Sequence, residues 1–193
     1  METYEQILKV PKDRVAVIIG EKGKTKRELE ENLGVKLQID GDEGEIVLIG
    51  KDSIKLYTAH EIIKAIARGF NPEIATLLLK TDYMLELINI TDYADGQKAI
   101  QRLRGRVIGE GGKARRTIEE LTEAFLSVYG KTICIIGQAD TVSAAKRGVD
   151  ALLSGAPHST VYRLLEKLRR DRKRKDINEF NVRRTHDTDD EDE

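Results

Sequence analysis

The sequence has no tryptophan, one cysteine and three prolines, and aromatic residues make up 5% of its 193 residues. The lone cysteine, Cys134, excludes an intramolecular disulfide framework. Its place between two isoleucines predicts a buried strand thiol rather than a nucleophile. The three histidines are far apart and have neither cysteine partners nor carboxylates at metal-ligand spacing. We therefore expect no bound metal, no cofactor and no enzymatic activity.

Long apolar segments are missing as well. No apolar run approaches the roughly 18 residues that a transmembrane helix needs. The first eleven residues also lack the apolar core of a signal peptide. We therefore expect a cytoplasmic protein with no membrane partner.

Charge is present in both signs but is strongly segregated. The formal net charge is -1, yet residues 98–116 hold seven basic residues and one acid. Residues 159–175 hold eight basic residues and two acids, and residues 176–193 reverse this with eight acids and two arginines. The two basic stretches are a credible electrostatic footprint for a polyanion such as nucleic acid.

One motif, Ile-Gly-Glu-x-Gly-Lys, occurs at residues 19–24 and again at residues 108–113. A Gly-x-x-Gly turn between two helices lets a phosphate approach bare backbone, and the second helix offers it free N–H groups. Each copy is followed by two strand-like segments and a long amphipathic helix, which is typical of a KH domain, a clamp for about four unpaired nucleotides. A nucleotide-binding P-loop is excluded because Ile18 stands where that motif needs a glycine.

The predicted fold class is α+β, with two tandem type I KH domains (β-α-α-β-β-α each) and a C-terminal helix. The connector begins with Pro72 and carries enough apolar surface to dock, so we expect a fixed relation between the domains. The predicted bounds are 1–70 for the first domain, 71–83 for a structured connector, 84–156 for the second domain, 157–175 for a basic helix and 176–193 for an acidic disordered tail.

The candidate RNA-binding residues surround the two glycine turns. In the first copy they are Gly20, Glu21, Lys22, Gly23, Lys24, Lys26 and Arg27. In the second copy they are Arg104, Arg106, Val107, Ile108, Gly109, Glu110, Gly111, Gly112, Lys113, Arg115 and Arg116. The second copy is expected to carry most of the affinity, because three glutamates follow closely on the first turn and phosphate contacts dominate binding. Val107 and Ile108 are interpreted as core, as groove floor, or as both.

The chain resembles the archaeal partner-of-Nob family of two-KH-domain ribosome-assembly factors. The resemblance runs from Tyr4 to about Lys175 and is strongest over residues 104–119 and 153–162. It implies binding of single-stranded RNA near the 3′ end of small-subunit ribosomal RNA. It also implies partnership with the Nob-type PIN-domain endonuclease on the pre-ribosomal small subunit. We expect the free protein to be a monomer.

Eukaryotic members of that family carry a long N-terminal extension and a spoiled first glycine turn. Neither feature is found in this sequence, which favours an archaeal source and leaves open whether the first domain binds RNA. The alternative hypothesis is a protein-interaction scaffold in ribosome assembly or translation, with degenerate KH folds and weak, non-specific nucleic-acid binding.

Overall fold

The first unit is a three-stranded antiparallel sheet with helices packed on one face. The computed structural model describes the backbone of residues 3–189 and the side chains of residues 3–175 and 177. The elements are β1 (Tyr4–Lys9), α1 (Lys12–Ile19), α2 (Lys24–Leu33), β2 (Lys36–Asp40), β3 (Glu45–Gly50) and α3 (Ser53–Ala67). The strand order is β1-β3-β2, so β2 is an edge strand. Alternation along β3 sends Ile46 and Leu48 into the core.

The second unit repeats this architecture. Its elements are β4 (Tyr83–Asn89), α5 (Gln97–Ile108), α6 (Lys113–Thr122), β5 (Phe125–Tyr129), β6 (Thr132–Gln138) and α7 (Ala139–Leu153). The strand order is β4-β6-β5, with all pairs antiparallel. Two successive β-α-α-β-β-α units confirm the predicted fold class.

The connector between the units is a short helix, α4 (Pro72–Ala75), followed by a 3-10 turn at Thr76–Leu79. Pro72 opens the helix at the position where a missing N–H is harmless. Ala75 and Leu78 are buried in the core of the first unit, and the 3-10 turn also packs against β4 and β6. The connector is therefore part of the packed structure.

The second sheet is buried on both faces because the first unit covers the face that its own helices leave open. Ile133 and Ile135 of β6 point into the second core, whereas Cys134 and Ile136 join the core of the first unit. Polar contacts reinforce this interface: Ser127 Oγ donates to the carbonyl oxygen of Arg68 at 2.8 Å. The two units therefore have the fixed relation that the apolar connector indicates.

A last helix, α8 (His158–Asp189), docks on the second unit. Val161 and Leu165 are buried in the second core, and Arg172 Nη1 donates to the carbonyl oxygen of Thr122 at 2.9 Å. The helix continues past its predicted end at Lys175, because no glycine or proline follows Pro157 to stop it. Residues 190–193 of the predicted acidic tail lie outside the described residues.

Candidate nucleic-acid interface

The two glycine turns have the same backbone conformation. Gly20 has φ 72° and ψ 176°, and Gly109 has φ 72° and ψ 175°. The last glycine of each turn is left-handed, with φ 76° at Gly23 and 79° at Gly112. The first glycine amide of each turn closes the preceding helix by donating four residues back, at 2.9 Å and 2.8 Å. Both copies therefore form the tight helix–turn–helix corner that the motif predicts.

The first glycine of each turn is required by packing. A Cβ on Gly20 would lie 2.2 Å from Thr25 Oγ1, and a Cβ on Gly109 would lie 2.6 Å from Ala114 Cβ. The combination of positive φ with ψ near 180° is itself almost confined to glycine. These two glycines hold the helices of each corner at close approach.

The third position distinguishes the turns. Lys22 occupies a left-handed conformation at φ 51°, which is strained for a residue with a side chain. Gly111 fills the same place at φ 56° without that strain, and nothing lies within 4 Å of where its Cβ would be. The second turn thus presents open backbone where the first carries a lysine.

Each turn leads into a helix that no side chain caps, although the first N–H of each helix, from Lys24 or Lys113, donates to the carbonyl oxygen of Glu21 or Glu110. The residues before α2 and α6, Gly23 and Gly112, have no side chain with which to cap the helix. Lys24 and Lys113 begin these helices with exposed side chains, and Glu21 and Glu110 are exposed as well. The glutamate side chains can therefore turn to solvent while the positive end of each helix dipole faces a phosphate.

Arg106 is engaged inside the fold. Its Nε donates to the carbonyl oxygen of Leu152 at 3.1 Å, and its Nη2 donates to that of Ala156 at 2.7 Å. Its own carbonyl accepts from His158 Nε2 at 2.8 Å. The guanidinium thereby satisfies carbonyls at the C-terminal end of α7. Arg106 therefore stabilises the helix that leads into the turn and is not available to contact RNA.

Arg14 has the same role in the first unit, and the sequence analysis missed it. Its Nε donates to the carbonyl oxygen of Ile66 at 2.8 Å, and its Nη2 donates to that of Phe70 at 2.7 Å. Arg14 and Arg106 occupy different positions relative to their turns, so the repeat of the sequence does not reveal the shared function.

The remaining candidates of the second turn divide by exposure. Val107 is fully buried and belongs to the core, whereas Ile108 is half-buried beside the turn. Arg104 and Arg116 are exposed. Arg115 is half-exposed, with Nε 3.7 Å from Glu119 Oε2. Ile108 is thus the apolar residue of this pair that can contact a base.

In the first copy Lys26 is half-buried and Arg27 is exposed.

A glutamate on the second helix of each corner holds the edge strand. Glu119 Oε1 accepts from the Leu126 amide at 2.8 Å, and Glu30 Oε1 accepts from the Leu37 amide at 2.8 Å. The N–H groups of Leu126 and Leu37 point away from the central strand of their sheets. Backbone groups two residues apart on a strand point the same way, so the N–H and C=O of Val128 also lie on the free edge of β5. Such an edge can read the hydrogen-bonding groups of a base. The signal in the sequence is that Glu30 and Glu119 are separated by the same 89 residues as the turns.

The hairpin loops of the two units have opposite charge. The first loop, residues 40–45, contains four acids, and Asp40 accepts from the amides of Asp42 and Glu43. The second loop is Gly130-Lys131, and Lys131 lines a cleft of about 720 Å³ together with Arg104 of α5. One basic residue of α5 and one of the second loop therefore line this cleft together with Asp95, whereas the first unit has an acidic loop in the equivalent place.

Among residues 3–189, no helix is long and apolar enough to cross a membrane. Within the same part of the chain, no group of three or more histidine, cysteine, aspartate or glutamate side chains is placed to hold a metal ion.

The fold and its paired turns define a class: this is a tandem KH protein. Residues 84–170 match a family model for the second KH domain of PNO1, described as a eukaryotic type KH-domain (KH-domain type I), and residues 5–65 match a KH domain model. KH domains bind nucleic acid and carry out no catalysis, so the chain is a non-enzymatic protein. It belongs to the archaeal branch of the PNO1/Dim2, or partner-of-Nob, family of two-KH-domain assembly factors.

Individual relatives agree with this assignment. The KH domain-containing protein MJ0443 of Methanocaldococcus jannaschii is 50% identical over 173 residues, which cover 88% of this chain and 76% of that protein. The chain is also similar to one in the crystal structure of an a/eIF2alpha-aDim2p-rRNA complex from Pyrococcus horikoshii OT3. The identity is 43% and the TM-score 0.82, with 88% of this chain and 96% of that chain covered. RNA-binding protein PNO1 of Oryzias latipes is 32% identical over 114 residues, 58% of this chain but only 47% of that protein.

Proposed function

We propose that the chain binds single-stranded RNA near the 3′ end of small-subunit ribosomal RNA, with the second KH groove as the main site. The observation that carries this proposal is the second turn, which combines the open KH backbone conformation with the exposed basic side chains of Arg104, Lys113 and Arg116 around it. The residues assigned to it are Arg104, Ile108, Gly109, Glu110, Gly111, Gly112, Lys113, Arg115 and Arg116. The Pyrococcus relative, crystallised with rRNA, supports the choice of ligand.

The first groove is assigned a minor role through Gly20–Lys24, Lys26 and Arg27. Its turn has the backbone of a KH clamp, but Lys24 pairs with Glu28 at 3.7 Å and the hairpin loop is acidic. A phosphate there meets a weaker positive potential than in the second groove.

We further propose that the bound RNA is presented to the Nob-type endonuclease on the pre-ribosomal small subunit. Family membership supports this partner. The physical basis is that a KH groove holds about four nucleotides extended and unpaired, a form that a nuclease acting on single strands can use.

A binding titration tests the proposed ligand. Fluorescence anisotropy is measured with a labelled RNA of the 3′ end of small-subunit rRNA, with its duplex, and with a scrambled strand, each at low and high salt. The single strand is expected to bind more tightly than the duplex and the scrambled strand, with affinity falling as salt rises. Preference for the duplex would overturn the proposed binding of single-stranded RNA, and equal binding of the scrambled strand would overturn the proposed 3′-end site.

The partner is tested separately by a cleavage assay. Purified Nob endonuclease acts on the same RNA with and without this chain, and a changed rate or cleavage position is expected. An identical cleavage pattern in both reactions counts against coordination of the nuclease.

A protein-binding role for the first unit is the second candidate function. In the second unit, the sheet face opposite the helices is covered by the first unit, but the equivalent face of the first sheet is open. It exposes Ile7, which is 60% accessible, beside the half-buried Val47 and Ile49. Apolar side chains left accessible on the open face of a sheet are a feature of protein interfaces.

A further inference from the structure

A cleft of about 690 Å³ lies between the two KH units, in the size range of small-molecule sites. One side is formed by the end of the first unit and the connector, including Asn71. The other side is formed by α6 and by the first residues of β5, including Arg115 and Phe125. Neither KH unit alone contains this cleft, and the four-nucleotide groove of a single KH domain does not account for it.

The cleft shares helix α6 and strand β5 with the second groove. Strand β5 supplies the free edge of that groove and begins inside the cleft, and Arg115 of α6 lies two residues after the lysine of the glycine turn. An RNA strand that follows β5 beyond the groove therefore enters the space between the units.

Phe125 lies in this cleft with much of its side chain in the open. Alternation along β5 places it on the face of Ser127, towards the first unit. Ser127 is 8% exposed, and Ile136, the residue paired with Phe125, is fully buried. Phe125 is nevertheless 37% exposed. An aromatic surface left uncovered beside an RNA groove is a platform on which a base can stack.

The polar groups of the cleft suit a base better than a phosphate. Asn71 is exposed and makes no capping hydrogen bond to the helix it precedes, so its amide can pair with a base edge. Glu119 is held by Leu126 N–H and faces Arg115, and Glu123 is paired with Arg172 at 3.0 Å. Glu120 adds a further exposed carboxylate, which repels phosphate but accepts hydrogen bonds from base amino groups.

We propose that the cleft binds one nucleobase of the RNA strand next to the segment held in the second groove, with the base stacked on Phe125 and its polar edge towards Asn71. The proposal rests on the second groove being the RNA site. It extends the footprint beyond one KH domain and assigns the first unit a part in RNA recognition that does not use its own glycine turn.

The absence of tryptophan from the sequence provides a direct test. Phe125→Trp places a single indole in the cleft, and its fluorescence is followed while RNA of about four nucleotides, the length of one KH groove, or of about eight is added. The longer RNA is expected to quench the indole by stacking, and the shorter RNA to leave it unchanged. Tyr57→Trp is the matched control, because Tyr57 is 60% exposed near the start of α3, at the other end of that helix from the cleft.

Affinity gives a second readout. Phe125→Leu is expected to weaken binding of the longer RNA about tenfold and to leave the shorter one unaffected, whereas Phe125→Tyr keeps the stacking surface and the affinity. Equal quenching of both indoles, or equal affinity of wild type and Phe125→Leu for the longer RNA, would overturn the proposal. If neither RNA binds the wild type, the second groove itself is wrong, and the cleft proposal fails with it.

Discussion

Arg104 and Arg106 lie two residues apart on α5, just before the second glycine turn. The guanidinium of Arg106 donates to two backbone carbonyls at the end of α7. Arg104 is exposed and lines the cleft of about 720 Å³ beside the second hairpin loop, together with Lys131. A substitution at each position is therefore expected to affect a different quantity.

Arg106→Ala is expected to lower the free energy of unfolding by about 2 kcal/mol, since it leaves two carbonyls without a charged donor. Arg104→Ala is expected to leave stability unchanged and to reduce the slope of log affinity against log salt by about 0.7, the value for one phosphate on a single strand. Urea unfolding and RNA titration on both variants measure the two effects. An Arg106→Ala protein of wild-type stability contradicts the structural role of that residue.

Two glycines of the second turn, Gly109 and Gly111, differ in how much stability an added side chain is expected to cost. Gly109→Ala is expected to destabilise the fold by about 3 kcal/mol, because its Cβ would meet Ala114 and its φ/ψ region is nearly confined to glycine. Gly111→Ala has open space and is expected to cost about 1 kcal/mol. Thermal unfolding followed by circular dichroism ranks the two, and the reverse order would show that the turn is not packed in this way.

The hairpin loops are the elements that separate the two grooves. Both units fold alike, but one loop holds four acids while the other is Gly130-Lys131. Such loops are exposed and contribute little to the core, so their charge can change without changing the fold.

Lys131→Glu is expected to weaken RNA binding several-fold at low salt, with the loss shrinking as the salt concentration rises and screens the charge. Lys51→Glu makes the same charge change at an exposed position before α3, in the first unit, and serves as the control. Equal losses in both variants would mean that total charge, and not the wall of the second groove, sets the affinity.

Local elements of this fold could be predicted from the sequence because their signals are local. Apolar periodicity and a terminal glycine predict a helix over residues 24–32, and the structure has Lys24–Leu33. The Gly130-Lys131 turn predicts a strand before it over residues 124–129, and the structure has Phe125–Tyr129. The partners of Arg106 and Phe125 could not be predicted in this way. Arg106 binds carbonyls 46 and 50 residues away, and the exposure of Phe125 depends on how the first unit covers the second sheet.

At the scale of the whole molecule, the two units form one packed body around β6. Cys134 sits at this junction, fully buried in the core of the first unit although it belongs to the second sheet. Burial raises the pKa of its thiol to about 11. At pH 8, below this pKa, the thiol is therefore almost entirely protonated as well as shielded.

Cys134 is expected to resist a thiol reagent such as DTNB at pH 8 in the native protein and to react fully in denaturant. Released thionitrobenzoate gives the rate by absorbance. Rapid native modification would show that the units separate readily, against the fixed relation seen here. Bound RNA is expected to slow any residual reaction, because it spans both units in the proposed cleft.

The central claim is that the second glycine turn clamps the RNA backbone. Replacing Glu110→Asp and Gly111→Asp together adds a second carboxylate to the one already present at that turn. Aspartate tolerates the left-handed conformation of Gly111, where space is open. RNA affinity measured by anisotropy is expected to fall at least about tenfold, or 1.4 kcal/mol, with an unchanged circular dichroism spectrum. Glu21→Asp with Lys22→Asp in the first turn, a larger change of charge, is expected to cost less. Unchanged binding by the second-turn variant, or a greater loss from the first-turn variant, would contradict the account.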